Sequence, residues 1–239
     1  MTVITAMRRV PALIPAFRCR AAIAQALLLA ALLPACTSQP PVPDWQMNAH
    51  SAAGRATEAY LSGNTRVAEQ EWTRARAEVA RTGRPELLSR LELMRCAAQV
   101  ASVQLQPCAA FEPLRADAAA PEQAYADYLA GRATPAQAAL LPDAQRAATA
   151  SVQAIAAIAD PLARLVAAGA AYQAGRATPE VMVLATDTAS AQGWRRPLLA
   201  WLLLRAERAA QAGDAPLEAA LRRRIALVES AGAPAENRR

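Results

Sequence analysis

The stretch Tyr128-Leu-Ala-Gly-Arg-Ala-Thr-Pro135 recurs with a single difference as Tyr172-Gln-Ala-Gly-Arg-Ala-Thr-Pro179. Weaker copies are Tyr60-Leu-Ser-Gly63 and Ala210-Gln-Ala-Gly213. A glycine after a helical stretch supplies the left-handed residue at which many helices end. Thr-Pro is typical of the start of the next helix, with threonine as the cap and proline in the first turn. Each full copy therefore predicts a turn between two helices.

Apolar residues follow the helical period around these turns, at spacings of three and four residues. The stripes lie in residues 68–79, 87–101, 162–172 and 217–228. Residues 198–204 are apolar all round, which predicts a helix enclosed by its neighbours, and no segment alternates as a strand does. We therefore expect an all-α domain over residues 45–231. The predicted helices are 45–62, with Asp44 as its cap, 65–82, 85–104, 109–117, 121–130, 135–158, 161–174, 179–192, 194–212 and 214–231.

The glycines of the four copies lie 68, 44 and 38 residues apart, and 68 is twice the tetratricopeptide period of 34. Residues 45–231 thus resemble a divergent tetratricopeptide-like array of antiparallel helical hairpins. The resemblance implies a broad concave surface that binds a protein or an extended peptide. The residues leave a second interpretation open, an irregular helical bundle whose helix ends reuse one turn.

The N-terminal residues 1–35 contain four arginines, no acid and the apolar run AAIAQALLLAALLPA at 21–35. Fifteen residues make about 22 Å of helix, which is shorter than the roughly 30 Å hydrocarbon core of a bilayer. The pattern predicts a secretory signal peptide over residues 1–35. A retained anchor helix or a core helix is the alternative.

Leu33-Pro34-Ala35-Cys36 resembles the lipobox of bacterial lipoproteins. The resemblance implies cleavage before Cys36 and acylation of its thiol and of the new amino group. Because Thr37 rather than aspartate follows, it also implies sorting to the periplasmic face of the outer membrane. Residues 36–44 would then be the lipidated cysteine and a proline-stiffened tether, and residues 232–239 a disordered tail.

The net charge of +6 comes mostly from the leader, because 22 arginines face 20 acidic residues in the rest of the 239-residue chain. The body is therefore too evenly charged for a nucleic-acid-binding protein, and no nucleic-acid partner is expected.

Four cysteines are present, and Cys96 and Cys108 are the pair left once Cys19 departs with the leader and Cys36 is acylated. An oxidising periplasm favours a disulfide between them. A metal site would need more ligands, and a redox pair usually has two intervening residues rather than eleven.

Catalytic motifs are scarce, so no enzyme activity, metal or cofactor is expected. His50 is the only histidine, and we interpret it as structurally incidental. Glu69 with Glu71, or Asp117 with Glu122, could form a carboxylate pair for glycoside hydrolysis. However, many acids have an arginine three or four residues away, which is typical of solvated helix faces. These pairs are Glu71–Arg74, Glu86–Arg90, Glu92–Arg95 and Glu218–Arg222.

Trp45 directly follows the tether and could be an exposed anchor, but packing of the first helix onto the second is the favoured interpretation. The combined prediction is a lipid-anchored, non-catalytic envelope scaffold or adaptor that binds another envelope protein or an extended peptide. The alternatives are a structural lipoprotein that contacts peptidoglycan and, third, a carboxylate-dependent glycan hydrolase.

Overall fold

The computed structural model describes residues 41–231, and within this range it contains ten α-helices, two 3-10 helices and no strand. The α-helices are α1 Asp44–Leu61, α2 Thr65–Ala80, α3 Pro85–Ala101, α4 Ala120–Leu129, α5 Pro135–Ala138, α6 Asp143–Ala150, α7 Pro161–Gln173, α8 Pro179–Gln192, α9 Arg195–Gln211 and α10 Ala215–Ala231. The predicted all-α class is confirmed. The predicted signal peptide, Cys36 and the tail at 232–239 lie outside the described residues.

Three helices begin with the caps that the sequence predicts. The side chains of Thr134, Asp160 and Thr178 each accept a hydrogen bond from the backbone N–H three residues later, over 3.3, 2.6 and 3.4 Å. Each is followed by a proline at the first helical position, where its missing N–H costs no hydrogen bond. Asp44 differs, because it lies within the first turn of α1 and Pro43 occupies the capping position.

The two full copies of the repeated stretch form the same turn. Gly131 and Gly175 both have a φ of 68°. In each turn the next N–H donates to the carbonyl oxygen five residues earlier over 2.8 Å, the bond that defines a Schellman cap. The turns also touch, since a Cβ added to Gly131 would lie 2.7 Å from the backbone nitrogen of Ala174. The repeated sequence therefore forms a repeated and mutually packed structure.

The single helix predicted over 135–158 is wrong, because this segment divides into α5, α6 and a 3-10 helix, Val152–Ala157. Pro142 causes the first break, with an extended conformation of φ −58° and ψ 144°. Proline cannot donate a helical hydrogen bond, and it disfavours a helical conformation in the residue before it. The helix predicted over 109–117 is a shorter 3-10 helix, Glu112–Asp117.

Helix α3 lies between two clusters of buried side chains. Leu91 and Ala98 belong to the cluster formed with α1 and α2. Leu93 and Val100 belong to the larger cluster formed with the helices that follow. A helix has two such faces because residues three or four apart share a face, whereas residues two apart do not. Helix α3 is therefore common to both cores.

Helix α9 returns to the start of the domain. The Arg196 guanidinium lies 4.3 Å from the centre of the Tyr60 ring, and its Nε donates to the Tyr60 carbonyl oxygen over 2.7 Å. Trp194 Nε1 donates to Glu58 over 3.0 Å. Solenoid repeats contact only their neighbours, so these contacts indicate a bundle-like arrangement. The all-round apolar segment of α9 is not fully enclosed, because Leu203 is exposed.

Helices α3 and α7 approach so closely that only glycine fits at position 169. A Cβ added to Gly169 would meet the carbonyl group of Val100, 2.8 Å from its carbon atom, and would lie 2.9 Å from Val100 Cγ1. Backbone atoms cannot move aside as a flexible side chain can. We expect Gly169→Ala to lower the free energy of unfolding by about 1–3 kcal/mol, the usual cost of overpacking a core, measured by urea unfolding.

Gly54→Ala is the matched control, because Gly54 lies inside α1 and a Cβ there meets nothing within 4 Å. Alanine should stabilise that helix by about 0.5–1 kcal/mol through its lower conformational entropy in the unfolded chain. Equal stabilisation by both substitutions would contradict the close approach of α3 and α7.

Candidate functional site

Two neighbouring cavities lie between α2, α3 and the loop formed by residues 102–111. A cavity of about 560 Å³ lies under the loop, and a second of about 330 Å³ lies between α2 and α3. The two cavities share Glu92, Arg95 and Ala110 as lining residues, so they adjoin. We refer to both cavities together as the loop groove.

The loop is attached to α3 by Cys96 and Cys108. Their Cα atoms lie 5.5 Å apart and their sulfurs lie at disulfide-bonding distance, which confirms the predicted pair. Three residues further on, the Phe111 side chain is completely buried in the larger core. The outer wall of the loop groove is therefore fastened to the fold at two nearby points.

The loop begins with a residue in a strained backbone conformation. Val103 has a φ of 57°, and the Gln104 N–H donates to the Gln99 carbonyl oxygen over 2.9 Å. This is the same bond as in the glycine turns, but a β-branched residue occupies the left-handed position. Such conformations are outliers that cluster at functional sites. The Tyr60 hydroxyl donates to Gln104 Oε1 over 2.8 Å and holds the strained segment against α1.

Charged groups on the floor of the loop groove are paired across helices. Glu92 is only 5% exposed and forms an ion pair with Arg76 of α2. Arg95 donates to both carboxylate oxygens of Glu69, over 2.8 and 2.9 Å. A buried carboxylate without its partner would be strongly destabilising. These pairs therefore join α2 to α3 under the groove.

The carboxylates considered for glycoside hydrolysis make separate contacts in the structure. Glu69 faces α3, whereas Glu71 binds Arg55 of α1 over 2.9 Å, and this hydrogen bond lowers the pKa of Glu71. Glu122 binds Arg90 of α3 over 2.6 Å. Asp117 is exposed at the end of its 3-10 helix.

Most of the ion pairs predicted within single helices are wrong. Glu71, Glu86 and Glu92 pair instead with Arg55, Arg84 and Arg76. Only the predicted pair between Glu218 and Arg222 forms, at 3.4 Å. Spacing along one helix identifies neighbours on that helix, whereas Arg55 and Arg76 reach carboxylates on adjacent helices and Arg84 lies just before the helix of Glu86.

His50 is exposed on α1, apart from the loop groove. Within residues 41–231, no three histidine, cysteine or carboxylate side chains come together as a metal-binding group. In the same range, no helix has both the length and the apolar character of a membrane-crossing segment. Comparisons with protein-family models, curated proteins and solved structures found no match to this chain.

The loop groove was not predicted from the sequence. Residue 104 was assigned to a helix, and the disulfide between Cys96 and Cys108 was expected only to stabilise the fold. The loop sequence Gln104-Leu-Gln-Pro-Cys108 contains the signal that could have found it. Pro107 disfavours helix in the residue before it, and a disulfide to α3 requires the chain to fold back.

The disulfide has a testable stabilising role. Thiol labelling of the native oxidised protein should miss Cys96 and Cys108. The double substitution Cys96→Ala and Cys108→Ala should lower the free energy of unfolding by roughly 3 kcal/mol, since it removes a short covalent loop. Urea unfolding measures the loss, and reductant-treated unsubstituted protein is the control. Ready labelling of both native cysteines would contradict the bond.

Proposed function

We propose that this chain is a lipid-anchored, non-catalytic adaptor of the bacterial envelope, whose loop groove binds an extended segment of another envelope protein. One observation carries the proposal: two cavities adjoin at Glu92 and Arg95, and both of these charges are already paired with other residues of the chain. A ligand in the loop groove would therefore be recognised by its shape and by hydrogen bonds rather than by its charge. Extended segments bind in this way, through their main chain and alternate side chains.

Hydrogen-bonding groups on both walls of the loop groove support an extended ligand. Gln99 of α3, on the inner wall, and Gln106 of the loop, on the outer wall, line the larger cavity, and each amide both donates and accepts. The backbone N–H groups of Leu105 and Gln106 bind no carbonyl in the described part of the chain. These groups can pair with the carbonyl oxygens of a bound segment, so the wall can act as a main-chain template.

The anchoring part of the proposal rests on the sequence Leu33-Pro34-Ala35-Cys36 at the end of the apolar run. Several acyl chains bind a bilayer much more firmly than one. With Thr37 after the lipidated cysteine, we place the protein at the periplasmic face of the outer membrane. We also infer tetratricopeptide-like hairpins within the bundle, because Gly131 and Gly175 form the same cap.

Site-specific photocrosslinking tests the groove. Replacing Gln106 with a photoreactive benzoylphenylalanine should yield a crosslinked envelope protein in intact cells, because Gln106 is exposed and lines the loop groove. Gln211 is an exposed glutamine at the end of α9, and the same replacement there should yield little or none. Equal products at both positions, or crosslinks to peptidoglycan alone, would overturn the proposed adaptor role.

Anchoring is tested by Cys36→Ser. The substitution removes the thiol that the lipobox resemblance identifies as the acylation site, so unprocessed precursor should accumulate away from the outer membrane. Membrane fractionation with mass measurement of the N-terminus detects both effects, and Cys19→Ser, within the predicted leader, should leave the mature mass unchanged. Normal fractionation of Cys36→Ser would refute the anchor.

A further inference from the structure

A second, more open groove of about 350 Å³ lies between the N-terminal halves of α1 and α3, beside Val79 of α2. We call it the Trp45 groove. Trp45, Leu87 and Met94 are among its apolar lining residues, and Arg84 and Arg90 also line it. No lining residue is acidic. The surface therefore combines apolar side chains with two arginines, whose carboxylate partners, Glu86 and Glu122, are not among the lining residues.

Several apolar side chains at this end of the domain face outward. Met94 is 45% exposed, Met47 50% and Val42 51%. The Trp45 ring is half-buried at the groove and does not belong to the core between α1 and α2. The packing of α1 onto α2 by Trp45 therefore stays a prediction, because Val79 of α2 lines the same groove. The exposed part of the indole lies where it can contact another surface.

The two arginines retain exposed hydrogen-bond donors. Arg84 and Arg90 use Nε to bind Glu86 and Glu122, over 2.7 and 2.6 Å. Their side chains are nevertheless 56% and 59% exposed, and their terminal nitrogens bond to no described residue. Guanidinium groups of this kind bind phosphate through paired N–H donors.

The short stretch of chain between Cys36 and Trp45 favours a membrane as the surface that the Trp45 groove contacts. Trp45 is nine residues after Cys36, and a proline-rich segment extends by about 3.1 Å per residue. Acylation at Cys36 would therefore keep the Trp45 groove within roughly 30 Å of the bilayer. Tryptophan and arginine are the residues typical of membrane–water interfaces.

We propose that the Trp45 groove rests on an anionic lipid surface, with Trp45 and Met94 at the headgroup level and Arg84 and Arg90 on lipid phosphates. This inference rests on the proposed lipid anchor at Cys36. It orients the domain, because the N-terminal halves of α1 and α3 then face the bilayer. A protein partner on the same face is the competing outcome.

Fluorescence quenching tests the contact directly. The full-length, acylated protein is reconstituted into phosphatidylglycerol vesicles with or without brominated acyl chains, which quench tryptophans at the bilayer. We expect brominated lipid to reduce the tryptophan emission. Trp45→Phe should abolish this quenching, whereas the control Trp72→Phe should retain it, because Trp72 is buried in the core at 4% exposure.

Charge dependence provides a second readout. Arg84→Gln with Arg90→Gln should reduce quenching at least twofold in phosphatidylglycerol vesicles, and the unsubstituted protein should show a similar reduction in phosphatidylcholine vesicles. The phosphate contact would be overturned if neither the arginine substitutions nor the change to phosphatidylcholine reduced the quenching. Circular dichroism confirms that each variant remains folded.

Mass measurement and vesicle flotation separate the two proposals. A chain that is acylated and floats with vesicles, yet whose Trp45 emission is unquenched, would overturn the surface contact and leave the anchor intact. The surface contact would also be overturned if Trp45 were shielded only when a protein partner is crosslinked to this face. A chain that carries no acyl mass would overturn the anchor, and the orientation with it.

Discussion

The approach of Gly169 to the backbone of Val100 is the contact on which the rest of the domain depends. It brings α7 against the end of α3, where Trp201 of α9 also donates its indole N–H to the Ala101 carbonyl oxygen over 3.1 Å. Three helices distant in sequence thus meet at one buried helix end. Because α3 also supplies residues to the core of α1 and α2, displacing it would loosen both cores.

The same helix carries the inner wall of the loop groove. Cys96 fastens the outer loop, Glu92 binds α2 through Arg76, and Val103 turns the chain out of the helix with an uncommon backbone conformation. A binding surface on rigid elements costs less conformational entropy when a ligand binds. The packing at Gly169 therefore supports the proposed function as well as the fold.

Features set within one helical turn could be predicted from the sequence, whereas features set by distant residues could not. The caps at Thr134 and Thr178 and the glycine turns depend on a few adjacent residues, and the structure confirms them. Glu71 finds its arginine on another helix, which no spacing along α2 reveals. The break at Pro142 also has a local cause, because proline disfavours a helical conformation in the residue before it.

Native-state hydrogen exchange tests most directly whether α3 holds the domain together. Amides between Leu93 and Ala101 should exchange only through global unfolding, as slowly as any in the chain. Those of α10, which has only Leu221 and Ile225 buried among the described contacts, should exchange through local opening at lower cost. Exchange in α3 that is as fast as in α10 would contradict the account.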